Sequence, residues 1–159
     1  MNEKKFNCFE KAEYYNIIKD MIETEKVKSM DNFIQHGSTT TLEHCISVSY
    51  ASYRIAKKLK LDYISVARAG LLHDFFLYDW HKLPPEKRLF KKHGFTHPGI
   101  ALKNAQEQFH LNKKEKDIII KHMWPLTLTK VPRYKESILV SLVDKYISTK
   151  ETIKNILNK

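Results

Sequence analysis

Five ionisable side chains fall on or beside apolar stripes, and they constrain this chain more than any other feature of its sequence. His44 precedes Val48 by four residues, Ala51 by seven and Ile55 by eleven, so it lies on the core side of an amphipathic helix. His73 and Asp74 follow Val66 and Ala67, respectively, by seven. His122 follows Ile118 by four, and Asp144 follows Val140 by four and precedes Ile147 by three. One hydrogen bond satisfies a core histidine, but a buried aspartate demands compensation. Two aspartates among several imidazoles therefore point to a shared cation, and to a fold whose helices converge on one place. With His97 included, the successive candidates stand 29, 23, 25 and 22 residues apart, about one helix and its return each time.

The rest of the pattern predicts an all-α bundle of about six helices in a single domain covering residues 1–159. A first helix is expected over residues 9–28, with Ile18, Met21, Ile22 and Glu25 on its modest apolar face. A second opens at the capping box Thr40-Thr41-Leu42-Glu43 and carries Cys45, Val48, Ser52, Ile55 and Leu59 in steps of three and four. A third follows Asp62, a good N-cap, and its small residues Ala67, Ala69 and Gly70 invite close approach by a neighbour. The run Thr96-His97-Pro98 is expected to open a fourth, because proline suits a first turn, and Asn112-x-x-Glu115 caps a fifth. The last covers residues 134–157, with Leu139, Val140, Val143 and Ile147 turned inward. Residues 81–94, with Pro84-Pro85, and residues 126–133 are expected as loops.

Composition narrows the partners. The net charge is +10, yet only four of the 28 basic residues are arginine and the lysines are scattered, which argues against nucleic-acid binding and for a solvated surface compatible with a small anionic substrate. Cys8 and Cys45 are too few for a disulfide framework. The N-terminal residues lack a signal-peptide apolar core and no stretch has the length of a membrane span, so a cytoplasmic location without membrane attachment is expected.

The series His44, His73-Asp74, His97, His122, Asp144, with Leu71-Leu72-His73-Asp74 ending a small-residue helix and Leu142-Val143-Asp144-Lys145 inside the last, resembles the HD-domain superfamily of metal-dependent phosphohydrolases over residues 35–152. The resemblance implies that His44, His73, Asp74 and Asp144 hold a first metal and that His97 and His122 hold a second, with Asp74 bridging. The doublet, His73 and Asp74, then stands at the catalytic centre. One or two divalent transition ions are implied, from among Mn, Fe, Co, Ni and Zn. The implied activity is hydrolysis of a phosphomonoester or phosphodiester of a nucleotide or similar small phosphate. Two other functions remain open: a di-iron oxygenase on the same scaffold, and a nucleotide-binding protein without turnover.

Other residues are candidates for the surrounding chemistry. Lys87, Arg88, Lys130 and Arg133, in the two loops, are expected to contact substrate phosphate. A proton donor from outside the ligand set is sought among His36, His81, Lys82 and Lys145. Trp80 and Trp124 could stack a base or simply pack. Subfamily marks are missing: Leu77-Tyr78 replaces the Glu-Asp pair that resembles alarmone hydrolases, Tyr78 stands where phosphodiesterase-like members have lysine, and no Gly-Tyr-Pro follows.

Overall fold

Side-chain caps set where most of the central helices begin. Thr40 accepts from the Glu43 amide while Glu43 accepts from the Thr40 amide, and Asn112 and Glu115 repeat the same reciprocal box. Asp62 accepts from the Ser65 amide at 3.1 Å. The computed structural model describes the backbone of residues 3–82 and 90–157, and their side chains except those of residues 3–9, 36, 81 and 90–93. Seven α-helices are described: α1 (Glu3–Ile22), α2 (Glu25–Lys28), α3 (Thr41–Lys58), α4 (Tyr63–Leu72), α5 (Phe90–Gln108), α6 (Lys113–Lys121) and α7 (Lys135–Leu157). A small antiparallel hairpin of β1 (Ile34–His36) and β2 (Thr39–Thr40) precedes α3, turning at Gly37, whose φ of 61° suits glycine. Among the described residues no helix is long and apolar enough to cross a membrane.

Helix α4 is the hub, packed against α1, α3, α5, α6 and α7. Its contact with α3 is backbone-close: a Cβ at Gly70 would lie 2.9 Å from the Ser49 Cα. Ser49 Oγ donates to the Ala67 carbonyl at 2.6 Å and accepts from the Tyr14 hydroxyl at 2.8 Å, which ties α1, α3 and α4 together. Val48, Val66, Leu71, Leu72, Phe75, Ile118, Ile119 and Val140 fill the space between the helices, and all are fully buried. Each large apolar side chain among them contributes about 1.5–3 kcal/mol.

The architecture is the expected all-α one, with local corrections. The first helix breaks at Glu23-Thr24, where Thr24 caps a new turn, so Glu25 is exposed rather than on the apolar face. On α3 the buried stripe passes through Tyr53 and Ala56, leaving Ile55 and Leu59 exposed. An apolar stripe drifts around a helix of 3.6 residues per turn, and the choice between neighbouring positions belongs to the packing partner. The hairpin was not expected, since five residues of strand carry too little pattern. Helix α5 begins at Phe90, not at Thr96, and keeps Pro98 in its interior. The carbonyl four residues before a helical proline is the one its ring crowds, and here that residue is Gly94, packed beside Leu126 and Met123. Part of the expected 81–94 loop is thus helix, Trp80–Lys82 forms a 3-10 turn, and residues 83–89 lie outside the described residues.

Candidate metal centre

The ends of α4 and α6 are built alike. His73 stands one residue past α4 and His122 one residue past α6, each in helical conformation. His73 Nδ1 lies 2.8 Å from the Gly70 carbonyl and His122 Nδ1 lies 2.8 Å from the Ile119 carbonyl. A carbonyl can only accept, so Nδ1 carries the proton in both rings. Each ring thereby satisfies a carbonyl that the ending helix leaves without a partner, and turns Nε2 towards the interior. His44, inside α3, is oriented by Glu151 of α7, whose carboxylate lies 2.9 Å from its Nδ1.

The inward nitrogens meet two aspartates. His44 Nε2 and His73 Nε2 lie 3.2 and 3.6 Å from Asp144 Oδ1. His97 Nε2 and His122 Nε2 lie 3.1 and 3.3 Å from Asp74 Oδ1, and 2.8 Å from each other. The other oxygen of Asp74 turns the opposite way, 3.5 Å from His73 Nε2 and 4.0 Å from His44 Nε2. Two donor groups result, His44-His73-Asp144 and Asp74-His97-His122, each with its ligand atoms within 4.8 Å of one another. Asp74 joins them by splitting its carboxylate between the two.

All six side chains are buried. His73 Nε2 and Asp74 Oδ1 have no hydrogen-bond partner, although burying such atoms unpaired is costly. Imidazole nitrogens preset by Nδ1 hydrogen bonds, beside carboxylates and with orphaned atoms facing inward, form a donor set suited to divalent transition ions. The protein's own charges respond to the same crowding. Burial alone would lower the His44 pKa, but Asp144 and Glu151 hold it up at about 10. Burial opposes the charge on His73 too, yet Asp74 holds its pKa well above the ordinary value. Asp74, despite burial, is held well below the usual carboxylate range by His73 and His97, and Asp144 likewise by His44 and His73. His122 is lowered, chiefly by burial.

The family model of the HD domain matches residues 41–148, more than half of the chain. The chain belongs to the HD domain family. No curated protein and no solved structure matches it. The matched span of this HD domain contains all six residues of the centre, whereas two groups that touch them lie outside it. Gln35, on β1, donates from Nε2 to Asp74 Oδ2 at 2.5 Å, and Glu151 orients His44. Sequence reasoning missed both. Glu151 follows Asp144 by seven, on the same face of α7, and that spacing could have found it. Gln35 sits on the unexpected hairpin, and no signal marks it. Cys45 was also left without a role; its Sγ lies 3.8 Å from His73 Nδ1.

The remaining candidates scatter. Lys145 stands at the centre: its Nζ donates to the His122 carbonyl at 2.8 Å and lies 3.9 Å from Asp144 Oδ2, and burial lowers its pKa. Lys82 is exposed and pairs with Asp79 at 3.3 Å. Arg133 lines a surface depression of about 330 Å³ with Asp117, Ile120 and Lys121, and none of the six central residues shares it. The Lys130 amide donates to the Thr127 carbonyl, and its side chain is half-buried. Lys87 and Arg88 lie outside the described residues, as do the side chains of His36 and His81. Trp80 and Trp124 are half-buried.

Proposed function

We propose that this HD-domain protein is a metal-dependent phosphohydrolase with a two-ion centre, acting on a phosphomonoester or phosphodiester of a nucleotide or similar small phosphate. The observation that carries the proposal is the split carboxylate of Asp74, whose two oxygens serve different histidine pairs. His44, His73, Asp144 and Asp74 Oδ2 would hold one ion; His97, His122 and Asp74 Oδ1 would hold the other. Two divalent cations there would lower the pKa of a water and draw charge from a phosphoryl oxygen.

The chain's own groups supply orientation and charge. Glu151 and the Gly70 and Ile119 carbonyls hold Nδ1 of three rings, so that each Nε2 faces inward and needs only to lose any proton it carries before binding an ion. Gln35 holds Asp74 from the hairpin side. The side chains of His44 and His73 are wholly buried, while those of His97, Asp74 and Asp144 keep slight exposure and that of Lys145 is one-third exposed. Lys145 is the most exposed group beside the centre, and its ammonium would meet an incoming phosphate there and could donate a proton to a departing alkoxide. Lys130 and Arg133, together with Lys87 and Arg88, would add anion attraction at longer range.

Four imidazoles and two carboxylates are also a donor set that iron accepts, which keeps an oxygen-dependent reaction as the second function. Phosphate release is measured from nucleotides and phosphodiesters with Mn, Fe, Co, Ni or Zn, with and without oxygen. Release without oxygen by a redox-inert Zn or Mn form is the expected result. Oxygen uptake coupled to substrate loss in the iron form, with no phosphate released by any form, would replace hydrolysis by the second function.

A further inference from the structure

Helix α7 has two faces, and the centre uses only one. Val140, Val143, Asp144 and Glu151 turn towards the bundle. On the other side Leu142, Tyr146, Thr149, Ile153 and Ile156 follow one another in steps of four, three, four and three. That spacing, sustained over two heptads, is the seam of a helix built to lie along another helix. Among the described residues nothing covers it: the apolar members are exposed from 52% at Ile153 through 69% at Tyr146, and the adjoining Leu157 reaches 79%.

A groove of about 800 Å³ runs beside this seam, between α3 and α7. Ile46 and Ala51 form its α3 wall, Tyr146 and Ile147 its α7 wall. The two helices are antiparallel, because His44 is tied to Glu151 at one end and the Asp62 amide, just past α3, to Glu136 at the other. The charges in the groove are two acids, Glu43 and Glu151, and two bases, Lys150 and Lys154. Glu151 is turned to His44, so Glu43 offsets one of the two lysines, and on a chain of net charge +10 this face carries little of the excess.

We infer that the outer face of α7, with its groove against α3, is a two-fold interface with a second copy of this chain. Self-association must overcome the repulsion of two strongly basic molecules, and an apolar face with little of that excess is where the repulsion is least. A two-fold interface must also be complementary to itself, and a patch carrying both signs meets that need. Five apolar side chains, each offering about 100 Å², bury about 500 Å² per copy, which over two copies reaches the roughly 1,000 Å² that a specific interface needs before the groove walls are added. An acidic partner lacks a basic field here to attract it. An anionic membrane, which would also take an apolar stripe flanked by lysines, finds only Lys150 and Lys154 in the groove, with Glu43 beside them.

The test is sedimentation equilibrium of the full chain, alone and with vesicles of neutral and anionic phospholipid. A mass of twice 18.8 kDa by about 100 µM is expected, without vesicle binding. The double variant Tyr146→Lys, Ile153→Lys should sediment at 18.8 kDa with the native helical spectrum and native metal content, because both side chains already face water in a single copy. If that variant does not fold, Ile156→Ser must weaken the dimer at least about tenfold. A monomer at every concentration, a dimer indifferent to these substitutions, or vesicle binding by the monomer would overturn the inference.

Discussion

The two donor groups of the centre differ in what supports them. The first, His44-His73-Asp144, draws on α3, α7 and the end of α4. It has a carboxylate of its own and the nearer oxygen of Asp74 besides. Behind it stand Glu151 and the Gly70 carbonyl. The second, Asp74-His97-His122, has only the shared carboxylate. His97 comes from the early turns of α5, next to the proline the helix accommodates. If both ions bind, the extra carboxylate should make the first group the tighter site, so the ions should differ in affinity and the second should be lost first.

The largest effect is expected from Asp74→Ala, which takes the only carboxylate from the second group and one of two from the first. Metal content should fall close to zero and phosphate release by on the order of 10³-fold. The stabilisation that a bound ion provides, about 2.7 kcal/mol at a hundredfold excess over its dissociation constant, should vanish from thermal melts. Elemental analysis decides it: full metal content in this variant would remove Asp74 from the centre.

Next come His97→Ala and His122→Ala, which separate the groups. Either should reduce the stoichiometry from two ions towards one, leaving the first bound, as read by calorimetric titration. Simultaneous loss of both ions would mean that the groups form one site rather than two.

Glu151→Gln sharpens the comparison from the other side. Glutamine can still accept from His44 Nδ1 but brings no charge, so the first ion should weaken by about 10-fold, and by up to about 100-fold in Glu151→Ala. The second ion should keep its affinity, and an equal weakening of both would contradict the assignment of Glu151 to the first group.

A smaller effect is expected in the metal-free protein. His44, raised to about 10, and His73, also raised, contribute stability fully present below their unfolded pKa of about 6.5 and lost as pH rises towards 10. Asp74 and Asp144 are depressed, so their contribution is present above about 4 and is lost as pH falls further. The chelated protein should therefore melt at progressively lower temperature between pH 6.5 and 10. The increment that added metal gives should grow over the same range, because ligands must lose their protons to bind. A flat melting profile for the chelated protein would mean that His44 and His73 hold no extra protons there.

Five of the six residues that converge were legible before the fold because each is tied to a local pattern, whereas His97 entered only through the resemblance. His44, His122 and Asp144 share a face with apolar neighbours, and His73-Asp74 ends a helix whose start is capped by Asp62. Caps and periodicity are local, so a linear sequence carries them. What lies across space is carried less plainly. Gln35 reaches Asp74 over 39 positions of sequence and Glu151 reaches His44 over 107; a spacing of seven from Asp144 puts Glu151 on the right face, but the pairing itself leaves no period to read.

Helical character, the starts of most helices and the burial of His44, His73, Asp74, His122 and Asp144 were written locally in the sequence, because they follow from hydrogen-bond caps and the burial of apolar stripes. That the carboxylate of Asp74 divides between two histidine pairs, and that α5 runs through Pro98, came from the packing of the helices. The packing also puts Arg133 in a depression with Asp117 and Lys121 that none of the six residues lines, and brings Lys145 to the His122 carbonyl. Each of these is set by where one helix lies against another, and packing direction is a property of the assembled core rather than of any segment within it.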